Sequence, residues 1–329
     1  MDDSAVVVED LRKRFGDVVA LDGIDFEVSR GTVFGLLGPN GAGKTTAVRV
    51  LATVLRADAG RAEVLGHDVV RDAEAVRRRI GLAGQNAAVD PNLTGRENLR
   101  MVGILGQMAR TDVMPRAAEL LERFELSTAA DRPLRTYSGG MRRRLDIAAS
   151  LMPRPPVLFL DEPTTGLDLP SRNELWEMIR ELVSDGTTVL LTTQYLEEAD
   201  RLATRIAVVD DGKVIANDTP ERLKSNLGNT IVELGLRGDG RAERALTMLR
   251  ESLGDRVERY GDTIRITSDQ GARVLFQVLR TLDRDSLEPD TLTVREPSID
   301  DVFLALTGHR AESRDGRATD DGATKPGAA

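Results

Sequence analysis

Apolar positions along the chain follow two repeats, and the switches between them mark the elements. Ile24, Phe26 and Val28 alternate with Asp25 and Glu27, the period-two pattern of a half-exposed strand. Val6-Val7-Val8 predicts another short strand, and Leu21-Asp22-Gly23 predicts a turn just before Ile24. Thr32-Val33-Phe34-Gly35-Leu36-Leu37 and Val157-Leu158-Phe159-Leu160 are continuous apolar runs, as expected of strands buried on both faces. Ala47 to Leu55 takes helical spacing. Ala57-Asp58-Ala59-Gly60 is a turn, Ala62 to Leu65 a strand, Ala73 to Arg79 a helix and Ile80 to Ala83 a strand. From Asn86 to Met152 the strand pattern stops, and helices are predicted over 96–108, 112–124 and 139–151. Thr94 with Glu97 three residues on is the pattern of a capping box.

After Val157–Leu160 the pattern predicts a helix over 171–183, a buried strand over 187–192, a helix over 194–203 and a hairpin turning at Asp211-Gly212. Thr219-Pro220 opens a boundary. Beyond it the order is strand 230–236, helix 241–253, strands 257–260 and 263–266, helix 271–282 and strand 291–294, with a short helix over 299–306. That β-α-β-β-α-β order is ferredoxin-like. The expected organisation is therefore an α/β domain over 1–222 with a helical subdomain at about 87–152, a small α+β domain over 223–308, and a tail over 309–329 whose composition predicts disorder.

Bulk properties narrow the function. At 329 residues, 40% hydrophobic and 30% charged, the chain reads as globular with room for two domains. A net charge of −9 argues against a broad nucleic-acid footprint. With no cysteine there are no disulfides, thiolate metal sites or thiol nucleophiles. Met1-Asp2-Asp3-Ser4 does not open like a signal peptide, and no apolar run approaches the ~18 residues of a membrane helix. The chain is expected to be soluble by itself, with any membrane role supplied by a partner. Five of its 45 basic residues are lysine, a bias that fits GC-rich coding better than function.

Chemistry concentrates at Gly38-Pro39-Asn40-Gly41-Ala42-Gly43-Lys44-Thr45-Thr46, which fits the phosphate-loop pattern between a strand and a helix. Glycines let backbone N–H groups curl around phosphate oxygens, and the helix N-terminus adds a favourable field. Lys44 would reach the β- and γ-phosphates of a bound nucleotide, and Thr45 would offer its hydroxyl to Mg²⁺. Asp161 and Glu162 end a buried strand. Adjacent strand residues face opposite ways, so Asp161 can hold Mg²⁺ while Glu162 faces the γ-phosphate as general base. Ser138-Gly139-Gly140, opening a helix, is a second anion site.

The order phosphate loop, Gln85, Ser138-Gly139-Gly140, Asp161-Glu162, Asp168 resembles the nucleotide-binding subunit of ABC transporters over roughly residues 5 to 218. The segments Tyr137–Arg144, Leu191–Asp200 and Asp300–Gly308 look most like antibiotic-resistance exporter ATPases of the daunorubicin-resistance (DrrA-like) type. The resemblance implies a P-loop NTPase cassette of mixed sheet plus helical subdomain, with the small α+β domain behind it. It implies that Phe15 stacks on adenine, that Gln85 touches Mg²⁺ and reports to a membrane subunit, and that Asp168 belongs to the nucleotide site. Ser138, Gly139 and Gly140 would bind ATP held by a second copy, giving a homodimer through an ATP sandwich. A separate polytopic permease of the ABC-2 type, in two copies, is the implied partner. The location is then the cytoplasmic face of the cell membrane, and the expected job is export of a lipophilic antibiotic or lipid. Asp300-Asp301-Val302-Phe303 offers a contact to the second copy or the transporter.

Departures from the family pattern are Met141 for a common glutamine and Gln194 for a common histidine. Gln194 can donate a hydrogen bond to phosphate but cannot carry charge or shuttle a proton. The chain's histidines, His67 and His309, lie elsewhere, and His67 reads as a solvated turn residue. Arg142-Arg143-Arg144 reads as a solvated helix face lending positive charge near the nucleotide. The competing readings are a soluble ABC-type ATPase acting on DNA or the ribosome, disfavoured by the single phosphate loop and the absence of cysteine, and a non-hydrolysing drug-binding module, disfavoured by the complete Asp161-Glu162 pair.

Overall fold

The computed structural model describes residues 4–85, 89–228, 230–238, 240–269, 271–284 and 286–307. The expected tail lies outside them. The chain opens with two long strands, β1 (Ser4–Phe15) and β2 (Val18–Ser29), that pair antiparallel. The reversal is at Gly16-Asp17, and the expected turn at Leu21-Asp22-Gly23 is instead continuous strand. Gly23 takes φ +76°, and a Cβ there would lie 2.6 Å from Asp10 Oδ1. The left-handed φ favours glycine where the ladder shifts register between Leu11 and Arg12. The turn-forming composition thus marks an irregularity inside a ladder.

β3 (Val33–Leu37) then feeds the phosphate loop and α1 (Lys44–Leu51). β4 (Ala59–Val64) and β5 (His67–Asp68) complete a four-stranded antiparallel sheet of order β2-β1-β4-β5. His67 therefore sits in an edge strand, not a turn. α2 (Ala73–Arg77) leads to β6 (Ile80–Ala83). The helical stretch follows as α3 (Gly95–Leu105), α4 (Arg110–Arg123) and α5 (Gly139–Ser150). Thr94 and Glu97 form the expected capping box on α3.

β7 (Val157–Asp161), α6 (Leu169–Ser184), β8 (Thr188–Thr193), α7 (Leu196–Leu202), β9 (Arg205–Asp210) and β10 (Lys213–Asp218) complete a six-stranded sheet of order β10-β9-β3-β8-β7-β6. Pairs within it are parallel except β9–β10. β3, β7 and β8 are buried along their whole length because both faces are covered. Phe34, Phe159 and Leu190 face a core shared with α1 and the antiparallel sheet, where Phe26 stacks on Phe34 at 5.2 Å. Leu37, Leu160 and Leu191 face the opposite core with α5, α6 and α7, including Leu145, Trp176 and Ile179. The sheet's loop ends are thereby fixed from two sides, and the chemistry sits on those ends.

α8 (Pro220–Ser225), capped by Thr219, leads into β11 (Thr230–Gly235), α9 (Arg241–Leu253), β12 (Val257–Tyr260), β13 (Thr263–Ser268), α10 (Ala272–Asp283) and β14 (Thr291–Arg295). These strands form an antiparallel sheet of order β12-β13-β11-β14 with its own core from α9 and α10. α11 (Ile299–Thr307) does not join that core. Its Ile299, Val302 and Phe303 enter the core on the α5–α7 side of the six-stranded sheet, with Leu196, Ala199, Leu202 and Leu223. Its Asp301 turns the other way, to Arg295 at 2.9 Å and Arg265 at 3.2 Å. Asp301, Val302 and Phe303 are thus spent inside the chain rather than offered to a partner. Among the described residues no helix is long and apolar enough to cross a membrane.

Candidate active site

The loop after β3 closes on its own lysine. A Cβ on Gly38 would lie 2.1 Å from Val209 O, and Gly43, at φ +105°, passes 2.3 Å from Ala20 O by the same measure. Only glycine fits so close to those carbonyls. Pro39, Asn40 and Gly41 are left exposed at the tip, while Ala42 is buried beneath it. Lys44 is 4% exposed, and its ammonium donates to Gly38 O at 2.8 Å and Pro39 O at 2.9 Å. Glu162 lies 3.8 Å away. Burial pulls the lysine below its ordinary pKa, and the charges of Glu162 and Asp161 oppose that pull. Thr45 and Thr46 start α1 on the inner side of the loop.

Asp161 ends β7, but Glu162 lies just past the strand, so a left-handed backbone rather than strand alternation sets its direction. Asp161 is buried, and its Oδ1 accepts from Thr45 Oγ1 at 2.9 Å and Thr192 Oγ1 at 2.6 Å. Thr192 is there because β7 and β8 pair Asp161 with Thr192. Glu162 sits at φ +48°, a left-handed conformation that costs a non-glycine residue on the order of 1–2 kcal/mol. Its N–H donates to Thr192 O at 3.1 Å and Oγ1 at 3.0 Å, and its Oε2 accepts from Thr165 Oγ1 at 3.2 Å. Glu162, Gln85, Gln194, Asn40, Thr165 and Arg143 line one cleft of about 450 Å³.

Arg143 corrects the expectation of a uniformly solvated arginine face. Arg142 is exposed, but the Arg143 side chain is 12% exposed and turned inward. It donates from Nε to Pro163 O at 2.9 Å, from Nη2 to Asp161 O at 3.1 Å, and from Nη1 to Gly84 O and to Asp146 Oδ2 at 3.2 Å. Arg144 pairs with Glu125 and Glu174. The sequence held one sign of this. Asp146 interrupts the apolar run Leu145–Ala149, and a buried acid there needs a cation within a helical turn. Thr165 and Thr192 carried no separate signal, since their roles depend on strand register and loop path.

Other site residues stand apart from the cleft. Phe15 ends β1 at 47% exposure with Lys13 Nζ 5.5 Å from its ring centroid, so it is not a core residue. Ser138 caps α5, its hydroxyl accepting from Met141 N at 3.2 Å, with Gly139 and Gly140 in the first turn. A Cβ on Gly140 would meet Ser171 Oγ at 2.8 Å. Asp168 is exposed at the N-cap of α6. None of these lines the cleft with Glu162 and Gln194.

A family model described as ABC transporter matches residues 21–165. Daunorubicin resistance ATP-binding protein DrrA2 of Streptomyces coeruleorubidus is 52% identical over 319 residues, covering 96% of this chain and 99% of the relative. Daunorubicin/doxorubicin resistance ATP-binding protein DrrA of Streptomyces peucetius is 50% identical over 315 residues, 94% of either chain. Nod factor export ATP-binding protein I of Ralstonia nicotianae is 41% identical over 310 residues, again 94% of either. Among solved structures, an ATP-binding subunit of an ABC transporter aligns at TM-score 0.62 and 26% identity, over 68% of this chain and 93% of the other. A dimeric post-hydrolysis ATP-binding cassette bound to ADP and Pi aligns at TM-score 0.60 and 26% identity, over 65% of this chain and 98% of the other.

Proposed function

This chain belongs to the ATP-binding subunits of ABC transporters, of the drug-resistance exporter type, and on that premise we propose how its residues hydrolyse ATP and what they drive. The observation that carries the reading is the convergence of Glu162, Gln85 and Gln194 on one cleft, with the buried Lys44 ammonium 3.8 Å from Glu162 and Thr45 hydrogen-bonded to Asp161. Lys44 exchanges its loop carbonyls for the β- and γ-phosphates, and backbone N–H groups from Asn40, Gly41 and Gly43 to Thr46 donate to the remaining phosphate oxygens. Phe15 offers its exposed ring to adenine.

A hydroxyl, a carboxylate and an amide oxygen (Thr45, Asp161, Gln85) form a hard-oxygen set that fits Mg²⁺, which keeps few protein ligands and completes its shell with phosphate and water. When bound, that ion neutralises charge on the phosphates. Glu162 takes a proton from the attacking water as its oxygen bonds to the γ-phosphorus and the bond to ADP breaks. Gln194 positions the γ-phosphate through its amide and leaves proton transfer to Glu162.

Ser138, Gly139, Gly140 and Asp168 serve the nucleotide of a second copy. Their separation from the chain's own cleft supports a head-to-tail homodimer with two ATP molecules between the subunits. The segment after Gln85, roughly 86–97, of which 86–88 lie outside the described residues, is the one offered to a polytopic ABC-2-type membrane subunit present in two copies. The chain then works on the cytoplasmic face of the membrane, and ATP-driven closure moves that partner. The cargo is a lipophilic antibiotic or lipid. Residues 223–308 act as an accessory domain bracing the dimer, held to the nucleotide-binding domain 1–222 through α11. The test is phosphate release by the purified chain with MgATP. Activity abolished by Lys44→Ala and by Glu162→Gln supports the reading, and activity unchanged by either refutes it.

A further inference from the structure

We propose that Arg143 is a positioning residue for hydrolysis, the brace through which α5 sets the orientation of Glu162 and Gln85. The inference rests on the ATPase reading above and adds a residue to it. One guanidinium takes the carbonyls on both sides of Glu162, Asp161 O at 3.1 Å and Pro163 O at 2.9 Å. A third carbonyl, Gly84 O, immediately precedes Gln85. Glu162 is the residue whose backbone is left-handed at φ +48°, while Thr192 holds its N–H. Its conformation is therefore pinned from the amide side by β8 and from both flanking carbonyls by Arg143. A residue in a sparsely populated conformation keeps it only where its surroundings over-determine it.

Arginine suits this task because its planar fork presents several donors in fixed directions, which a lysine or glutamine cannot reproduce. Asp146, one helical turn on at 3.2 Å and 2% exposed, holds the fork in place. The same helix begins with Ser138-Gly139-Gly140. The element offered to the partner copy's nucleotide thus also braces the carboxylate that serves the chain's own nucleotide. A shift of α5 would be felt at Glu162 and Gln85 directly.

The experiment compares full-length wild type, Arg143→Gln and Arg143→Lys in steady-state ATP hydrolysis and in equilibrium binding of a fluorescent ATP analogue. Each change is also made in the Glu162→Gln background. Arg143→Gln is expected to lower kcat by about 10- to 100-fold with KM and analogue affinity within about twofold of wild type, since the loss falls on the chemical step. Arg143→Lys recovers part of that loss. In the Glu162→Gln background, adding Arg143→Gln changes the residual rate by less than about twofold, because the arginine acts through the carboxylate. A kcat for Arg143→Gln near wild type, or an undiminished further loss in the Glu162→Gln background, overturns the proposal. If Arg143→Gln does not fold, Arg143→Lys decides: a reduced kcat at unchanged KM supports the brace, and a wild-type kcat refutes it. A wild type that binds and hydrolyses no ATP refutes the ATPase reading itself, and the inference falls with it.

Discussion

Gln194 shows what one side chain does when the family's common histidine is absent. It lines the cleft with Glu162 and carries no titratable proton. Gln194→Ala is therefore expected to abolish turnover and Gln194→His to be tolerated, both read as phosphate release; normal activity in the alanine variant contradicts the positioning role. Lys44 is buried with its charge 3.8 Å from Glu162. Lys44→Ala should lower kcat/KM by at least about 100-fold, the usual scale for losing one stabilising donor. The residues of this site were legible in the sequence where spacing alone defines them: the phosphate loop, Asp161-Glu162, and Ser138-Gly139-Gly140. Arg143 was legible only through Asp146 in the apolar run, because an arginine between two arginines otherwise looks solvated until the helix phase is known. Thr192 was not, because it meets Asp161 only through the β7–β8 register.

Elements were legible wherever a single face decides burial. The runs at β3 and β7 and the capping box at Thr94 come from local pattern, and the structure has them where the pattern places them. Leu21-Asp22-Gly23 misled because glycine serves a ladder irregularity as readily as a turn. α11 was legible as a helix but not in its destination. Its apolar stripe does not say which core it enters, and only tertiary packing sends Phe303 into the one beside α5–α7. Phe303, 3% exposed, sits among residues of α7 and α8. Phe303→Ala is expected to cost about 3–5 kcal/mol through lost burial and the cavity left behind. Denaturant unfolding measures it, and a cost under about 1 kcal/mol would mean that α11 is not anchored there.

At the scale of the whole molecule, the C-terminal sheet is joined to the core beside α5–α7 through Asp301, which bonds Arg295 and Arg265 of that sheet while its neighbours Val302 and Phe303 fill that core. Burial pushes the Asp301 carboxyl up, but hydrogen bonds from Arg295 and Ser298 outweigh it and hold the pKa at about 2, below the ordinary 3.8. A depressed acid stabilises the fold above the unfolded value and loses that stabilisation as pH falls from about 3.8 towards about 2. Asp301→Asn should therefore cost about 2 kcal/mol at neutral pH and flatten the acid limb of the stability curve in that window. An unchanged acid limb would remove Asp301 from the join. The proposed two-chain assembly rests on a site split in two, with Glu162 in the cleft, Lys44 3.8 Å from it, and Ser138 outside. The direct measurement is the solution mass of Glu162→Gln by light scattering, with and without MgATP. The account predicts a single chain without nucleotide, two chains with it, and a return to one when Ser138→Arg is added. A mass that stays at one chain with MgATP bound, or a dimer indifferent to Ser138→Arg, would contradict it.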